Sequence, residues 1–528
     1  MQKVVYGNNV LQEIKVGVDM VVDAVKLTAG PKGNNAIIDR GNGFTEITND
    51  GVTVARSFVG NDDRISKMGV TFVQEACTDT ERASADGTSA TAILLQEMLN
   101  NIIKVRATVG DIMAFKKGMQ LGAAALTMGI EEMSKPVTIE GEELKNVAII
   151  STNNDKELGA KISEAFSIVG EKGVIGIEES GTADTEVVHV EGLKFDRGWM
   201  SPYFVNNSRN RTREMHQAHI LITDGIVQNY KQIAPAIRFS EDHPLLLVVK
   251  DIEPLALQGL VLGANKGDLN LCIVKAPGVG DHRLDMVNDL CAAVGAKLVA
   301  TNGGENFDFD DSFYGRATKI TVGQDQTTIV GGTADEELVK DRIANITNRL
   351  DTEEDLDDYQ KGLLNDRLAM LDNGVALIYL GAVSDTEYNE KKRRLDDAVG
   401  ATRAALESGV VPGGGLALIL AADSIMSMPD MTKDEKLGYD VVINSCKAPF
   451  KTILANAGLE HGEILHGIFE RGEGSGFNVK TGEFVNMYEE GIIDPAKVVY
   501  SALKNATSVA SMIATSSVIV CKPETMEV

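Results

Sequence analysis

The chain has 528 residues, 43% of them apolar and 24% charged, which is ordinary globular usage and excludes a wholly disordered or fibrous protein. With 51 Lys and Arg against 77 Asp and Glu, the formal charge is −26, so the surface repels nucleic-acid phosphates and anionic membranes alike. At roughly 150 residues per domain, three to four domains are expected, with cores that need neither disulfide nor metal. The five cysteines, Cys77, Cys272, Cys291, Cys446 and Cys521, are odd in number and contain no CxxC, so buried, reduced thiols are expected. The longest aliphatic runs, such as Leu245 to Val249, fall far short of the about 20 apolar residues that span a bilayer. Met1-Gln-Lys-Val-Val-Tyr-Gly7 resembles neither a signal nor a transit peptide, and the expectation is a cytoplasmic protein.

Along residues 10–29, Val10, Ile14, Val18, Val21 and Val25 recur at spacings of three and four and predict an amphipathic helix that stops at Gly30-Pro31-Lys32-Gly33. Asn35 to Asp39 and Phe44 to Thr48 predict a hairpin, closed by a second glycine turn at Asp50-Gly51. Helices are expected over 62–83, 89–107 and 111–133. From about Glu179 strands take over: Glu186 to Val190, His219 to Thr223, Pro244 to Val249, Leu269 to Lys275, Lys297 to Ala300 and Thr318 to Ile329, with helices between them. Thr333-Ala-Asp-Glu336 reads as a capping box opening a charged helical hairpin with Leu356 to Leu371 as its second arm. After Gly374 the pattern predicts helices again, broken at Gly413-Gly414-Gly415, and Asp494-Pro495 reads as the cap and first residue of a last helix to about 515. The order helical, α/β, helical implies a mainly α protein with an inserted α/β domain, both chain ends lying in the helical part.

Three turns pair glycine with hydroxyl or carboxylate: Thr28 to Gly33, Asn49 to Thr53 and Asp86 to Thr91. In the last, Gly87 lets backbone N–H groups approach an anion, Thr88 and Ser89 add hydroxyls, and the helix N-terminus adds its dipole. A carboxylate beside such a site makes sense with a cation between, so Asp86 reads as a magnesium ligand; a plain helix cap is the other reading. No GxxxxGK[ST], GxSxG or HExxH occurs, and His216-x-x-His219 and His461-x4-His466 carry little weight.

The same turns carry a resemblance. Leu27-Thr-Ala-Gly-Pro-Lys-Gly33, Asp50-Gly-Val-Thr-Val-Ala-Arg56 and Asp86-Gly-Thr-Ser-Ala-Thr91 are joined by Phe195 to Phe204, Val274 to Asp281, Ala401 to Ala405 and Gly409 to Gly415. Together, over essentially the whole length and in the same order, they resemble a group I chaperonin of the GroEL type. The resemblance implies a three-domain fold: an equatorial ATPase domain near 1–132 and 408–528, an intermediate domain near 133–190 and 375–407, and an apical client-binding domain near 191–374. It implies an ATP-dependent chaperonin that holds non-native proteins in the cavity of one or two heptameric rings, with ATP, Mg2+ and K+ as cofactors. A co-chaperonin partner is implied too, with no nucleic-acid or membrane partner. A ring-forming assembly protein or holdase with weak or lost hydrolysis is the alternative, and for a viral source the compartment would be host cytoplasm.

By the same resemblance Thr28, Gly30 and Pro31 contact the nucleotide, Asp86 holds magnesium, and Gly87, Thr88 and Ser89 hold phosphate. Gly414 and Gly415 approach the nucleotide by backbone, Asn478 and Val479 line the base, and Asp494 binds the ribose. Asp397 orients the attacking water, with Asp50 assisting. Trp199, Tyr203, Phe204, Ile233, Ile237, Leu257, Val261 and Leu262 match apolar client-binding positions. Arg197 and Asp385 match a charge pair between neighbouring subunits. The chain departs from the pattern at Asn49, where lysine is usual, at Ala90, at Lys480 beside the base and at Ala234.

Overall fold

The computed structural model describes residues 4–521 apart from 8, 42–43, 60–63, 153–154, 172, 181, 183, 191, 208–210, 279, 281, 300–306, 308, 334–335, 353–357, 373–374 and 426–430. These residues form two compact units, one from 1–164, 179–186 and 380–528, the other from 165–178 and 187–379.

The first unit is helical. The helix Asn9–Lys26 buries Val10, Ile14, Val18, Val21 and Val25, the stripe expected from their spacing. The hairpin Ala36–Gly41 and Phe44–Thr48 follows, with Ala36 opposite Thr48. The helices Arg64–Ser84, Thr88–Val105, Ile112–Met133, Lys433–Ser445 and Ala496–Thr515 close one core with it, built largely from aliphatic residues such as Leu95, Leu99, Val442 and Leu503. Ile112–Met133 and Lys433–Ser445 cross backbone to backbone. A Cβ on Gly118 would lie 1.8 Å from the Glu435 carbonyl oxygen, and one on Gly438 2.0 Å from that of Phe115. Only glycine permits that approach.

One boundary differs from expectation. Asp494 lies in a short strand, Ile493–Pro495, paired antiparallel with Val410–Pro412, and the last helix begins at Ala496. The Ala496 N–H donates to the Gly409 carbonyl, which keeps the chain extended through Pro495 and leaves proline as the N-cap. Asp494 is therefore no helix cap.

The second unit holds a seven-stranded mixed sheet in the order Leu271–Lys275, Leu245–Val249, Arg213–Thr223, Gly315–Val322, Thr327–Gly332 and Gly192–Phe195, with Leu298–Val299 also on Arg213–Thr223. Leu245 to Val249 are all buried, as a continuous apolar run in parallel pairing should be. The single strand expected over 318–329 is instead a hairpin of two strands. It turns where the Gly323 N–H donates to the Gln326 carbonyl, in a polar tetrapeptide that the strand reading overran. Two helices, Glu336–Thr352 and Asp358–Asp372, make the expected helical hairpin, although part of its capping box lies outside the described residues. Asp289, with no side-chain exposure, accepts from Arg342 on one arm and Arg367 on the other, both at 2.7 Å. Where helices were expected after Gly374, the apolar run Val375–Leu380 is the central strand of a small sheet with Val174–Glu179 and Glu186–Val190. Six consecutive apolar residues carry no amphipathic period, and burial on both faces suits a strand.

All five cysteines are free and buried. Among the described residues no helix is long and apolar enough to cross a membrane.

Candidate functional site

The first unit encloses a cavity of about 990 Å³. Three helix N-termini open on it: Gly51–Ser57, Thr88–Val105 and Leu416–Ser424. Gly87, at φ +88°, is the N-cap of Thr88–Val105 and leaves that end without a side-chain cap. The first N–H groups of the helix therefore face the cavity with its positive dipole end behind them. Gly415 likewise precedes Leu416–Ser424 with no side-chain cap. Thr88 and Ser89 lie beside Gly51, and a Cβ on Gly51 would come within 2.2 Å of the Ser89 hydroxyl. Part of the wall is apolar: Pro449, Phe450, Ile453, Phe477, Val479 and Met487 line it, most belong to one small hydrophobic cluster, and Pro449 and Phe450 lie against Gly415.

Asp50, Asp86 and Asp494 bring three carboxylates to the cavity wall. Asp86 lies on the cavity wall, wetted from inside the cavity yet surrounded by protein. That desolvation raises its pKa, aided by the charge of Asp50 and opposed by the Gly87 N–H it accepts. Asp494 is pushed up to about 7 by burial and then by Asp86, with a Gly414 N–H lowering it. Asp50 is engaged differently. Its Oδ1 accepts from the Val52 N–H at 3.2 Å and its Oδ2 from the Thr53 N–H at 3.1 Å, making it the N-cap of Gly51–Ser57. So the carboxylate that caps a helix is Asp50, whereas Asp86, for which a cap was the simpler reading, caps nothing. Mutual repulsion of uncompensated acids marks a place where a cation would be stabilised.

Thr28, Gly30, Pro31, Asp50, Asp86, Gly87, Thr88, Ser89, Asp397, Gly414, Gly415, Asn478, Val479 and Asp494 all line this one cavity. So do the departures Asn49, Ala90 and Lys480. Some of these groups are partly committed. The Thr28 hydroxyl donates to the Val25 carbonyl at 2.8 Å, and the Asn478 Oδ1 accepts from the Lys480 N–H at 2.9 Å. The sequence reading missed Lys156, Glu390, Arg393 and Arg394 on the same wall. The recurrence of 390, 393, 394 and 397 on the helix Asp385–Ser408 was the available signal, since they share a face with Asp397.

In the second unit the apolar positions expected on a client face divide. Phe204 and Ile233 are each 1% exposed and Val261 is buried; all three belong to the core and not to a surface. Trp199, Ile237 and Leu257 are half-buried against that core, and the Trp199 Nε1 donates to the Arg211 carbonyl at 3.2 Å. Tyr203 and Leu262 are exposed. So are Tyr230 and Leu255, which were not singled out; Leu255 lies seven residues before Leu262 on the helix Pro254–Lys266. On that helix Leu260 and Val261 turn inward, so the outward edge runs through 255 and 262. The Asp385 side chain lies outside the described residues.

The TCP-1/cpn60 chaperonin family model matches residues 21–242 and 231–523. Two solved structures of the chaperonin gp146 from the bacteriophage EL 2 (Pseudomonas aeruginosa), determined in presence of ATP-BeFx, share the fold. They are 21% and 20% identical with TM-scores of 0.69 and 0.63, each covering 99% of both chains. With its helical unit, its inserted α/β unit and a family match over nearly its whole length, the chain belongs to the TCP-1/cpn60 chaperonin family, as a divergent group I chaperonin.

Proposed function

We propose that this protein is an ATP-dependent chaperonin, which binds non-native proteins in a ring cavity and drives their release and folding by nucleotide-linked domain movement. The observation that carries this reading is the convergence of residues from five distant chain segments, near 28–31, 49–51, 86–90, 413–415 and 478–494, on one cavity lined both by uncapped helix N-termini and by apolar side chains. Apolar side chains suit a purine and helix N-termini a triphosphate.

In this reading the uncapped N–H groups of Thr88–Val105 and the hydroxyls of Thr88 and Ser89 hold phosphate oxygens. No group of three or more His, Cys, Asp or Glu close enough to cage a metal occurs among the described residues. That fits a magnesium ion held by one or two carboxylates and by phosphate, the usual economy of a nucleotide site. Asp86 is the ligand, since it lies on the cavity wall beside the uncapped start of Thr88–Val105, where a cation would sit between its carboxylate and a phosphate. Bound there, Mg2+ would neutralise phosphate charge as the bond to the leaving group breaks. Asp397 orients the attacking water, and Asp50 holds the turn beside it through its cap. Positioning and electrostatics are what phosphoryl transfer chiefly requires of a protein. K+ is a further ion in this scheme.

The domain scheme of equatorial 1–132 and 408–528, intermediate 133–190 and 375–407, and apical 191–374 belongs to the same proposal. So do heptameric rings, a co-chaperonin and a cytoplasmic setting. Tyr203, Leu255 and Leu262 supply the exposed apolar surface for clients, with Trp199, Ile237 and Leu257 behind them. One observation favours a second reading, a holdase with little hydrolysis: Asn49 and Ala90 put no cation and no extra hydroxyl on the polar wall. Refolding of a chemically denatured client separates the two. An ATP-driven chaperonin restores client activity only with Mg-ATP; a holdase prevents aggregation equally with and without it.

A further inference from the structure

The cavity-facing side of the helix Asp385–Ser408 carries a tie to a distant segment. Arg394 stays close to home: it pairs with Glu390 on its own helix and lies 4.0 Å from Asp155. Arg393 reaches across instead, and its Nη1 donates to the Oε1 of Glu46 on the strand Phe44–Thr48. The other oxygen of Glu46 accepts from Arg40, at 2.8 Å from Nε and 2.7 Å from Nη2. Arg40 sits on the sister strand of the same hairpin, so this second contact aims the carboxylate without joining the hairpin to anything else. Burial by itself would raise the pKa of Glu46, but the guanidiniums of Arg393 and Arg40 outweigh it and hold the group below the usual carboxylate range.

We infer that the Glu46–Arg393 pair is a positioning device, holding the helix that carries Asp397 against the hairpin that leads into Asn49 and Asp50. Arg393 precedes Asp397 by four residues, one helical turn on the same face. The buried side of the helix, with Leu395, Ala398 and Ala401, sets its overall seat, and the tether at Arg393 adds a fixed point one turn from Asp397 on the cavity side. Freely exposed ion pairs are worth little, because two long side chains must be ordered to make them. Here the Glu46 side chain is 19% exposed and already aimed by Arg40, so much of that ordering is done before Arg393 arrives.

This inference rests on reading the cavity as an ATP site. The test compares Arg393→Gln, Glu46→Gln and Arg393→Lys with Arg40→Gln in the assembled full-length protein. Misplacing a catalytic group by about 1 Å can cost on the order of a hundredfold in rate. Arg393→Gln and Glu46→Gln should therefore lower kcat by at least about tenfold, with equilibrium affinity for Mg-AMPPNP and thermal melting unchanged. Arg393→Lys should recover part of the loss, and Arg40→Gln, which keeps the tie but loses its aim, should cost clearly less than Arg393→Gln. Equal losses in Arg40→Gln and Arg393→Gln would overturn the inference, since only the hairpin would then matter. So would an unchanged kcat in Arg393→Gln, or an affinity loss that parallels it. Should the wild type neither bind nor hydrolyse ATP, the cavity reading fails on its own, and the tie is read by hydrogen exchange in nucleotide-free protein. Faster exchange over 36–48 and 385–397 in Arg393→Gln supports it; identical exchange overturns it.

Discussion

Replacing Gly87 with alanine perturbs the turn on which the proposed phosphate site depends. Gly87 sits at φ +88° and ψ 7°, left-handed backbone that an L-residue occupies at a cost of roughly 1–2 kcal/mol. The added Cβ would lie 2.9 Å from the Val498 Cγ1 and 3.3 Å from the Val498 carbonyl oxygen. Val498 is 7% exposed, so its side chain has little room to withdraw, and overpacking of this kind adds about 1 kcal/mol. If the turn holds its shape, urea titration of the first unit should show a loss of about 2–3 kcal/mol. If the turn relaxes instead, the helix N–H groups leave the cavity. At about 1.4 kcal/mol per tenfold, Mg-ATP affinity by titration calorimetry should then fall by roughly thirtyfold or more. Gly462→Ala serves as the control. A Cβ there meets nothing within 4 Å on an exposed stretch of helix, so it should be neutral or gain up to about 1 kcal/mol from helix propensity. A Gly87→Ala protein with both wild-type stability and wild-type affinity would refute the reasoning.

In Asp289→Ala two guanidiniums lose their buried counter-ion; because Arg342 is 31% exposed, the expected loss is about 2–3 kcal/mol, short of the larger cost at fully buried pairs. Hydrogen exchange should show the helices Glu336–Thr352 and Asp358–Asp372 opening first, and uniform protection would contradict this. Asp494, raised from 3.8 to about 7, binds a proton in the folded state that the unfolded chain releases across that interval. Its contribution to stability is therefore complete below pH about 4 and lost as pH rises through about 7; Asp494→Asn should flatten this slope in urea midpoints, and an unchanged slope would contradict it. The thiols of Cys77, Cys272, Cys291 and Cys446 are each pushed up to about 12 by burial, so iodoacetamide near neutral pH should leave all four unlabelled in the native protein and modify them after unfolding.

Much of the helical unit was legible because its signals are local and periodic. Val10 to Val25 repeats at helical spacing and folds as such; Gly30 and Gly87 punctuate where the chain must turn left-handed. The errors fall where local pattern is silent. Val375–Leu380 is apolar throughout, and only its two sheet neighbours, 185 and more residues upstream, decide that it is a strand. Asp494-Pro495 has a helix-start signature, but a strand pairing with Val410–Pro412 claims it first. The lining of the cavity was traceable from its turns because each turn carries its own glycine and hydroxyl. The pairing of Arg393 with Glu46 was not traceable, although the helix face of Arg393 was, since an ion pair between residues 347 positions apart leaves no mark in either neighbourhood. The client positions fared worst for a related reason. An apolar residue on an amphipathic helix looks the same in sequence whether it turns to the core, like Ile233 and Val261, or to solvent, like Leu262.

The central claim is that one cavity binds Mg-ATP through Asp86 and hydrolyses it through Asp397. It is tested most directly by measuring Mg-ATP binding and single-turnover hydrolysis on the same preparations of wild type, Asp86→Ala and Asp397→Ala. Asp86→Ala should lose affinity and turnover together, because the metal loses its carboxylate. Asp397→Ala should bind Mg-ATP as the wild type does but hydrolyse it slower by on the order of a hundredfold, because the attacking water loses the acid that orients it. Normal turnover in Asp397→Ala, or unchanged Mg-ATP affinity in Asp86→Ala, would contradict the account.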